Sequence, residues 1–204
     1  TVRDVDRVAG WLQLHGHDVL PYTGATDGDD RLDAEAKLQR NEVKALVATS
    51  ALGMGYDKPD LAFVVHFQAP GSPVAYYQQV GRAGRQLEES VGVLLRGAED
   101  SDIQDWFINT AFPDAHDVDA VLAVFAFAAG PVTFGRVLDE VNMKRGDVEL
   151  VLKQLTVEGV LRRLSGQTYE RTLKPWVYPT KRVQAVTADR RLEQDQMMIY
   201  ATGG

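Results

Sequence analysis

The chain has 204 residues, 45% hydrophobic and 25% charged, which is the composition of an ordinary globular protein with a formal net charge of −7. It contains no cysteine, which excludes disulfides and any cysteine-ligated zinc or iron–sulfur centre within these residues. No apolar run nears the roughly 20 residues of a membrane span, and no basic, apolar leader opens the sequence, so neither a membrane anchor nor a signal peptide is expected.

In chain order, Val5, Val8, Leu12 and Leu14 fit a helix, with Asp4 and Asp6 near its N-terminus. Val19-Leu20-Pro21-Tyr22 reads as a short strand. A polar turn over 24–30 follows, with Asp29 or Asp30 placed to cap a helix over 31–39. Residues 44–49 (KALVAT), 61–67 (LAFVVHF) and 91–95 (VGVLL) are apolar runs of strand length. Such runs between helical patterns predict a parallel sheet covered on both faces. Residues 1–113 therefore read as an α/β domain that opens without its first strand, and the chain is expected to be a piece of a longer protein.

Pro113-Asp114-Ala115-His116 marks a boundary, and short helices follow. Val118, Val121, Leu122 and Phe125 predict one; Phe134, Val137, Leu138 and Val141 a second; Val148, Val151, Leu152, Leu155 and Val157 a third. Residues 159–164 then turn through Ser165-Gly166 into a return strand over 168–172. Three helices and a hairpin are the layout of a small winged-helix domain, assigned to 114–180, whose third helix would enter a DNA groove. Residues 181–204 form a C-terminal helix. Charge follows the same division. Residues 1–113 hold 10 Lys/Arg against 17 Asp/Glu, whereas residues 131–191 hold 12 against 7. That basic segment suits either an anionic partner or a solvated face.

Two stretches could carry chemistry. In 48–59 (ATSALGMGYDKP), Gly53 and Gly55 let a ligand approach the backbone, while Thr49 and Asp57 place a hydroxyl and a carboxylate at the carboxyl end of a strand, where open α/β sheets bind ligands. Alone, these glycines are equally consistent with a plain βα turn. In 76–85 (YYQQVGRAGR), Arg82 and Arg85 stand three apart. On a helix they would share one face, and two guanidinium forks at a sheet edge suit a polyphosphate. The alternative, surface arginines balanced by Glu88 and Glu89, leaves Gln78 and the flanking glycines unexplained.

GMGYDKPD followed by YYQQVGRAGR resembles motifs V and VI of the RecQ-type superfamily 2 DNA helicases, and residues 31–49 resemble the same region of that family. Tyr22-Thr23-Gly24 stands where the family often has Tyr-His-Ala. The resemblance covers about residues 1–112 and implies the second RecA-like motor domain of an ATP-dependent DNA helicase tracking 3′ to 5′. It implies that Arg85 is the arginine finger to ATP and Arg82 the second phosphate-directed arginine. Gln78 and Gly81 would hold that frame, Gly55 would lie at the nucleotide, and Asp57 would sit near its ribose or in the inter-domain network. Thr49 and Gly53 would touch the DNA backbone. The phosphate loop and acidic box that hold ATP and Mg²⁺ belong to a first motor domain not found in these residues, so this piece alone is expected to be inactive as an ATPase. The last helix resembles the one leading into a downstream zinc module.

In the second half Lys144, Arg145, Lys153, Arg162, Arg163 and Arg171 could track phosphates. Tyr169 could stack on a base or wedge a duplex end; equally, Tyr169 and Trp176 could pack inward. His66 is expected to be a core histidine, and no metal is assigned within these residues. Expected partners are DNA, single-stranded or at duplex junctions, and the first motor domain of the same protein. The expected setting is a cytoplasmic or nucleoid-associated monomer serving DNA repair and recombination. The rival reading is a non-enzymatic DNA-binding or regulatory winged-helix module with a degenerate α/β domain.

Overall fold

The structure, a computed structural model, describes residues 1–52, 56–97 and 100–203. Two compact units divide the chain. One comprises Thr1–Val65 and Tyr77–Val93, the other His66–Tyr76 and Leu94–Gly204.

In the first unit, α1 (Val2–Leu14) starts at a capping box. The Thr1 side chain accepts from the Asp4 backbone and the Asp4 carboxylate takes the chain's N-terminus in return. Val5 and Ala9 bury its inner face. β1 (Val19–Tyr22) leads to α2 (Gly28–Gln39), which begins three residues earlier than its sequence suggests. Asp27 is the cap, accepting from Asp29 N, while Asp29 and Asp30 lie in the first turn, where carboxylates favour the positive helix end. β2 (Ala45–Ala48) runs parallel to β1, with Tyr22 opposite Ala48.

β3 (Phe63–His66), α3 (Pro73–Val80) and β4 (Val91–Leu94) follow. Val91 N donates to Ala62 O and Leu95 N to His66 O, so β3 and β4 advance in the same direction. The expected parallel pairing holds, but as two separate two-stranded ladders, β1–β2 and β3–β4. Burial on both faces also fails locally. Val65 and Val91 are exposed, because an apolar run is buried only where other elements lie over it.

The second unit opens with α4 (Asp100–Asn109), an element the apolar pattern does not reveal. Its first carboxylate is buried and accepts from the Ala69 and Gly97 amides. Next come α5 (Ala115–Ala126), capped by Asp114, then β5 (Val132–Thr133), α6 (Phe134–Glu140) and α7 (Arg145–Val157). β6 (Leu161–Arg163) and β7 (Thr168–Arg171) complete an antiparallel sheet in the order β5–β7–β6. Val118, Val121, Val137, Val151, Leu152 and Leu155 close one core beneath that sheet. Each such side chain contributes about 1.5–3 kcal/mol when removed from water.

α8 (Thr180–Ala201) ends the described chain. It packs on α4 through buried Met197, a hydrogen bond from Gln194 Nε2 to Ser101 O, and Arg191, which reaches both Asp105 and Asn109. Near its end Tyr200 lies 5.2 Å, ring to ring, from Tyr76, which in turn packs on buried His66. No described helix is long and apolar enough to cross a membrane.

Candidate functional site

The carboxyl end of β2 and the turn after α3 lie in the same unit. Thr49 continues the β1–β2 ladder by donating its N–H to Tyr22 O, and its hydroxyl accepts from Ala51 N at 3.2 Å. Gly53 and Gly55 lie outside the described residues. Gln39, the last residue of α2, donates to Asp57 O at 3.1 Å, and its carbonyl accepts from the Tyr56 hydroxyl. Burial holds that phenol above its ordinary value.

Beyond Asp57 a second polar tie appears. Lys58 is 3% exposed, and its ammonium sits 2.7 Å from Asp60. Asn41, the single non-glycine residue with positive φ among the described residues, donates to the other Asp60 oxygen at 3.0 Å. The Lys58 ammonium, then the Asn41 amide, lower the Asp60 carboxyl to about 2.

The arginines do not share a helical face. α3 stops at Val80, and Gly81, Arg82, Ala83, Gly84 and Arg85 form the turn that follows. Two positions in this turn favour glycine. Gly84 has φ +77°, a region that a side chain disfavours, and a Cβ there would come within 2.9 Å of the Ser90 Cβ. A Cβ at Gly81 would stand 2.9 Å from Tyr77 O. The glycines therefore shape this turn.

Two backbone bonds pin the turn to the segment after Asp57. Gly84 N donates to Leu61 O at 2.9 Å and Gln86 N to Pro59 O at 3.0 Å. They bracket Arg85, whose Nη1 lies 2.9 Å from Asp57 Oδ1. Both side chains of this pair are about half exposed, at 49% and 56%. An ion pair in that much water is worth about 0–1 kcal/mol, so Arg85 can exchange Asp57 for another anion at little cost. Arg82 is half-buried and Gln78 is exposed. The structure thus brings Asp57 and Arg85 together. The sequence assigns no role to Lys58, Asp60, Asn41 or Gln39, although Lys58 stands between two aspartates in DKPD.

In the second unit the basic candidates divide. Arg145 pairs with Glu149 and lies over the Phe134 ring at 4.7 Å, Arg162 pairs with Glu170, and Arg171 donates to Val160 O. Lys144, Lys153 and Arg163 are exposed and hold no ion pair among the described residues. Tyr169 and Trp176 pack against the core.

The first unit thus combines a parallel strand pair with an arginine on a glycine-shaped turn beside a loop carboxylate. Residues 1–86 match the helicase conserved C-terminal domain. The probable ATP-dependent DNA helicase RecS of Bacillus subtilis is 35% identical over 103 residues, covering 50% of this chain and 21% of that protein. The ATP-dependent DNA helicase RecQ of Synechocystis sp. is 42% identical over 81 residues, 40% of this chain and 17% of that protein. A putative ATP-dependent RNA helicase of Acanthamoeba polyphaga mimivirus is 33% identical over 109 residues, 53% of this chain and 20% of that protein. Residues 1–86 are thus similar to the C-terminal helicase region, and the relatives matched over that stretch include RecQ-type helicases. The chain spans about a fifth of the length of these relatives.

Proposed function

We propose that this chain supplies the second RecA-like motor domain, over 1–113, of an ATP-dependent DNA helicase that unwinds duplexes 3′ to 5′. A winged helix over 114–180 and a helix over 181–204 leading toward a zinc module complete it. The observation that carries this reading is Arg85, half exposed on a pinned turn and held by one weakly bound carboxylate. Such a guanidinium fits the terminal oxygens of a triphosphate. When bound, ATP supplies the phosphoanhydride whose hydrolysis drives the motor. Arg85 would leave Asp57 to stabilise charge developing on the transferring phosphoryl group. Asp57, released, would face the nucleotide, with Gly55 beside it. Arg82 would take a second phosphate contact, and Gln78 and Gly81 would hold the turn. Mg²⁺ and most of the nucleotide would be held by the first motor domain of the same protein, so residues 1–204 alone would not turn over ATP.

Thr49 and Gly53 would touch the strand being tracked. Lys144, Lys153 and Arg163, which keep their charge available, would engage phosphates near a single-strand–duplex junction, with Arg145 and Arg162 exchanging their glutamates to join them. Tyr169 would bear on a base only by leaving its packing. The setting would be cytoplasmic or nucleoid-associated, the protein a monomer, and the role DNA repair and recombination.

The test is Arg85→Ala in the full-length protein. DNA-stimulated ATP hydrolysis should vanish while single-strand binding persists; unchanged hydrolysis would remove the assigned role. The three exposed cations favour a second reading, a DNA-binding regulatory module without motor activity. Tight, sequence-specific duplex binding by a full-length protein that shows no ATP turnover would establish it instead.

A further inference from the structure

A lysine ammonium is rarely hidden from water unless its charge is met by a partner. Lys58 is so hidden, at 3% exposure, and its ammonium meets Asp60 at 2.7 Å. Asp60 is not itself buried, and its second oxygen is fixed by Asn41 at 3.0 Å from across 19 residues of chain. Asn41 adopts φ 59°, a left-handed conformation that asparagine tolerates better than most residues, and it directly follows the end of α2. Asn41 thereby fastens the α2–β2 connection to Asp60, and Lys58 holds that carboxylate from within its own segment.

Residues 59 and 61 are also where the arginine turn is attached. Pro59 O and Leu61 O accept from Gln86 N and Gly84 N, on either side of Arg85. Lys58 and Asp60 alternate with those two carbonyls along the chain. A shift of this rail would carry the backbone of Arg85 with it, and would shift Asp57, the next residue before it. Exposed surface ion pairs are usually interchangeable with water. A buried ammonium is not, so the register it sets is fixed.

We infer that Lys58, Asp60 and Asn41 form a clamp that sets the position of the Arg85 turn, which makes Lys58 a positioning residue for the arginine. The clamp touches no nucleotide. It acts by holding the carbonyl rail at one height, so that Arg85 can exchange Asp57 for a phosphate oxygen without the turn drifting. This inference rests on the motor reading above.

The test compares Lys58→Met, Asn41→Gly and Arg85→Ala in the full-length protein, with DNA-stimulated ATP hydrolysis, single-strand binding and urea unfolding measured for each. Methionine keeps the buried stem without the charge, and replacing a buried ion by an apolar residue of similar size is often neutral for folding. Glycine keeps the left-handed backbone of residue 41 and removes its amide. Misplacement by about an ångström costs about a hundredfold in rate. Lys58→Met should therefore lower kcat about tenfold to a hundredfold, with KM for ATP and DNA affinity within about twofold of the parent. Asn41→Gly should lower kcat several-fold with the same split. An unchanged kcat in Lys58→Met, with Arg85→Ala inactive, would overturn the clamp and leave the motor reading standing. Full activity in Arg85→Ala would overturn the motor reading itself. Should Lys58→Met unfold at lower urea, Asn41→Gly decides: a fall in kcat at constant KM supports the clamp, and parental kcat sinks it.

Discussion

The unit that carries Arg85 and the block over 114–178 are held together in different ways. In the block, Val118, Val121, Val137, Val148, Val151 and Leu155 are fully excluded from water, and one apolar core fixes three helices and a sheet. Among the described residues of the arginine-bearing unit no side chain is so completely enclosed. Its inner residues, Val5, Ala9, Val19, Ala34 and Leu38, are mostly small or at the helix faces. The edge around Arg85 is set by polar ties: Gln39 to Asp57, Lys58 to Asp60, and two backbone bonds around Arg85. Apolar packing gives a rigid body, whereas directional bonds place individual atoms and can be exchanged. A group that must trade partners during a reaction cycle belongs in the second kind of surrounding.

This contrast can be broken by substitution. The largest effect is expected at Arg85, where loss of a charge-stabilising arginine costs about 10³-fold or more in kcat, read as DNA-stimulated phosphate release in the full-length protein. Leu155→Ala should cost about 2–5 kcal/mol of folding free energy by urea unfolding, because its side chain is fully buried in the block. A loss well below that range would show the block to be loosely packed. Gly84→Ala should cost about 1–3 kcal/mol for the left-handed backbone alone and should lower ATP turnover as well, since Ser90 obstructs the new methyl.

Smaller effects sharpen the comparison. Removing Lys153 and Arg163 together should reduce the dependence of log affinity on log salt by about 2, since each phosphate contact contributes about 0.9. Removing Arg162, already paired with Glu170, should change it less. Asp60 titrates below its ordinary 3.8, at about 2, because Lys58 and Asn41 favour its charged form. Its contribution to stability is complete above the ordinary value and is lost as pH falls toward 2. Lys58→Met should therefore flatten the fall in urea midpoint over that interval.

Much of this was legible in the sequence. The spacing of Val118, Val121 and Phe125, and of Val148, Leu152 and Leu155, marked helices that the core confirms, because helical periodicity is a local signal. Asp57 and Arg85 both stand out in the sequence as candidates, and the structure pairs them at 2.9 Å. The spacing of Arg82 and Arg85 predicts a shared helical face, but α3 stops at Val80, and Gly84 together with tertiary bonds sets the turn instead. α4 escaped because DSDIQDWFIN carries a weak apolar stripe, with Trp106 and Phe107 exposed. The Lys58–Asp60–Asn41 tie escaped because its ends lie 19 residues apart, beyond any local pattern.

The left-handed backbone at Gly84, walled by Ser90, has a consequence for directed evolution. In a saturation library spanning 81–90, position 84 should return almost nothing but the parental codon, and position 81 little more. The exposed neighbours 88 and 89 should accept most of the twenty amino acids. Diversity introduced to alter this edge is best spent there, at exposed positions.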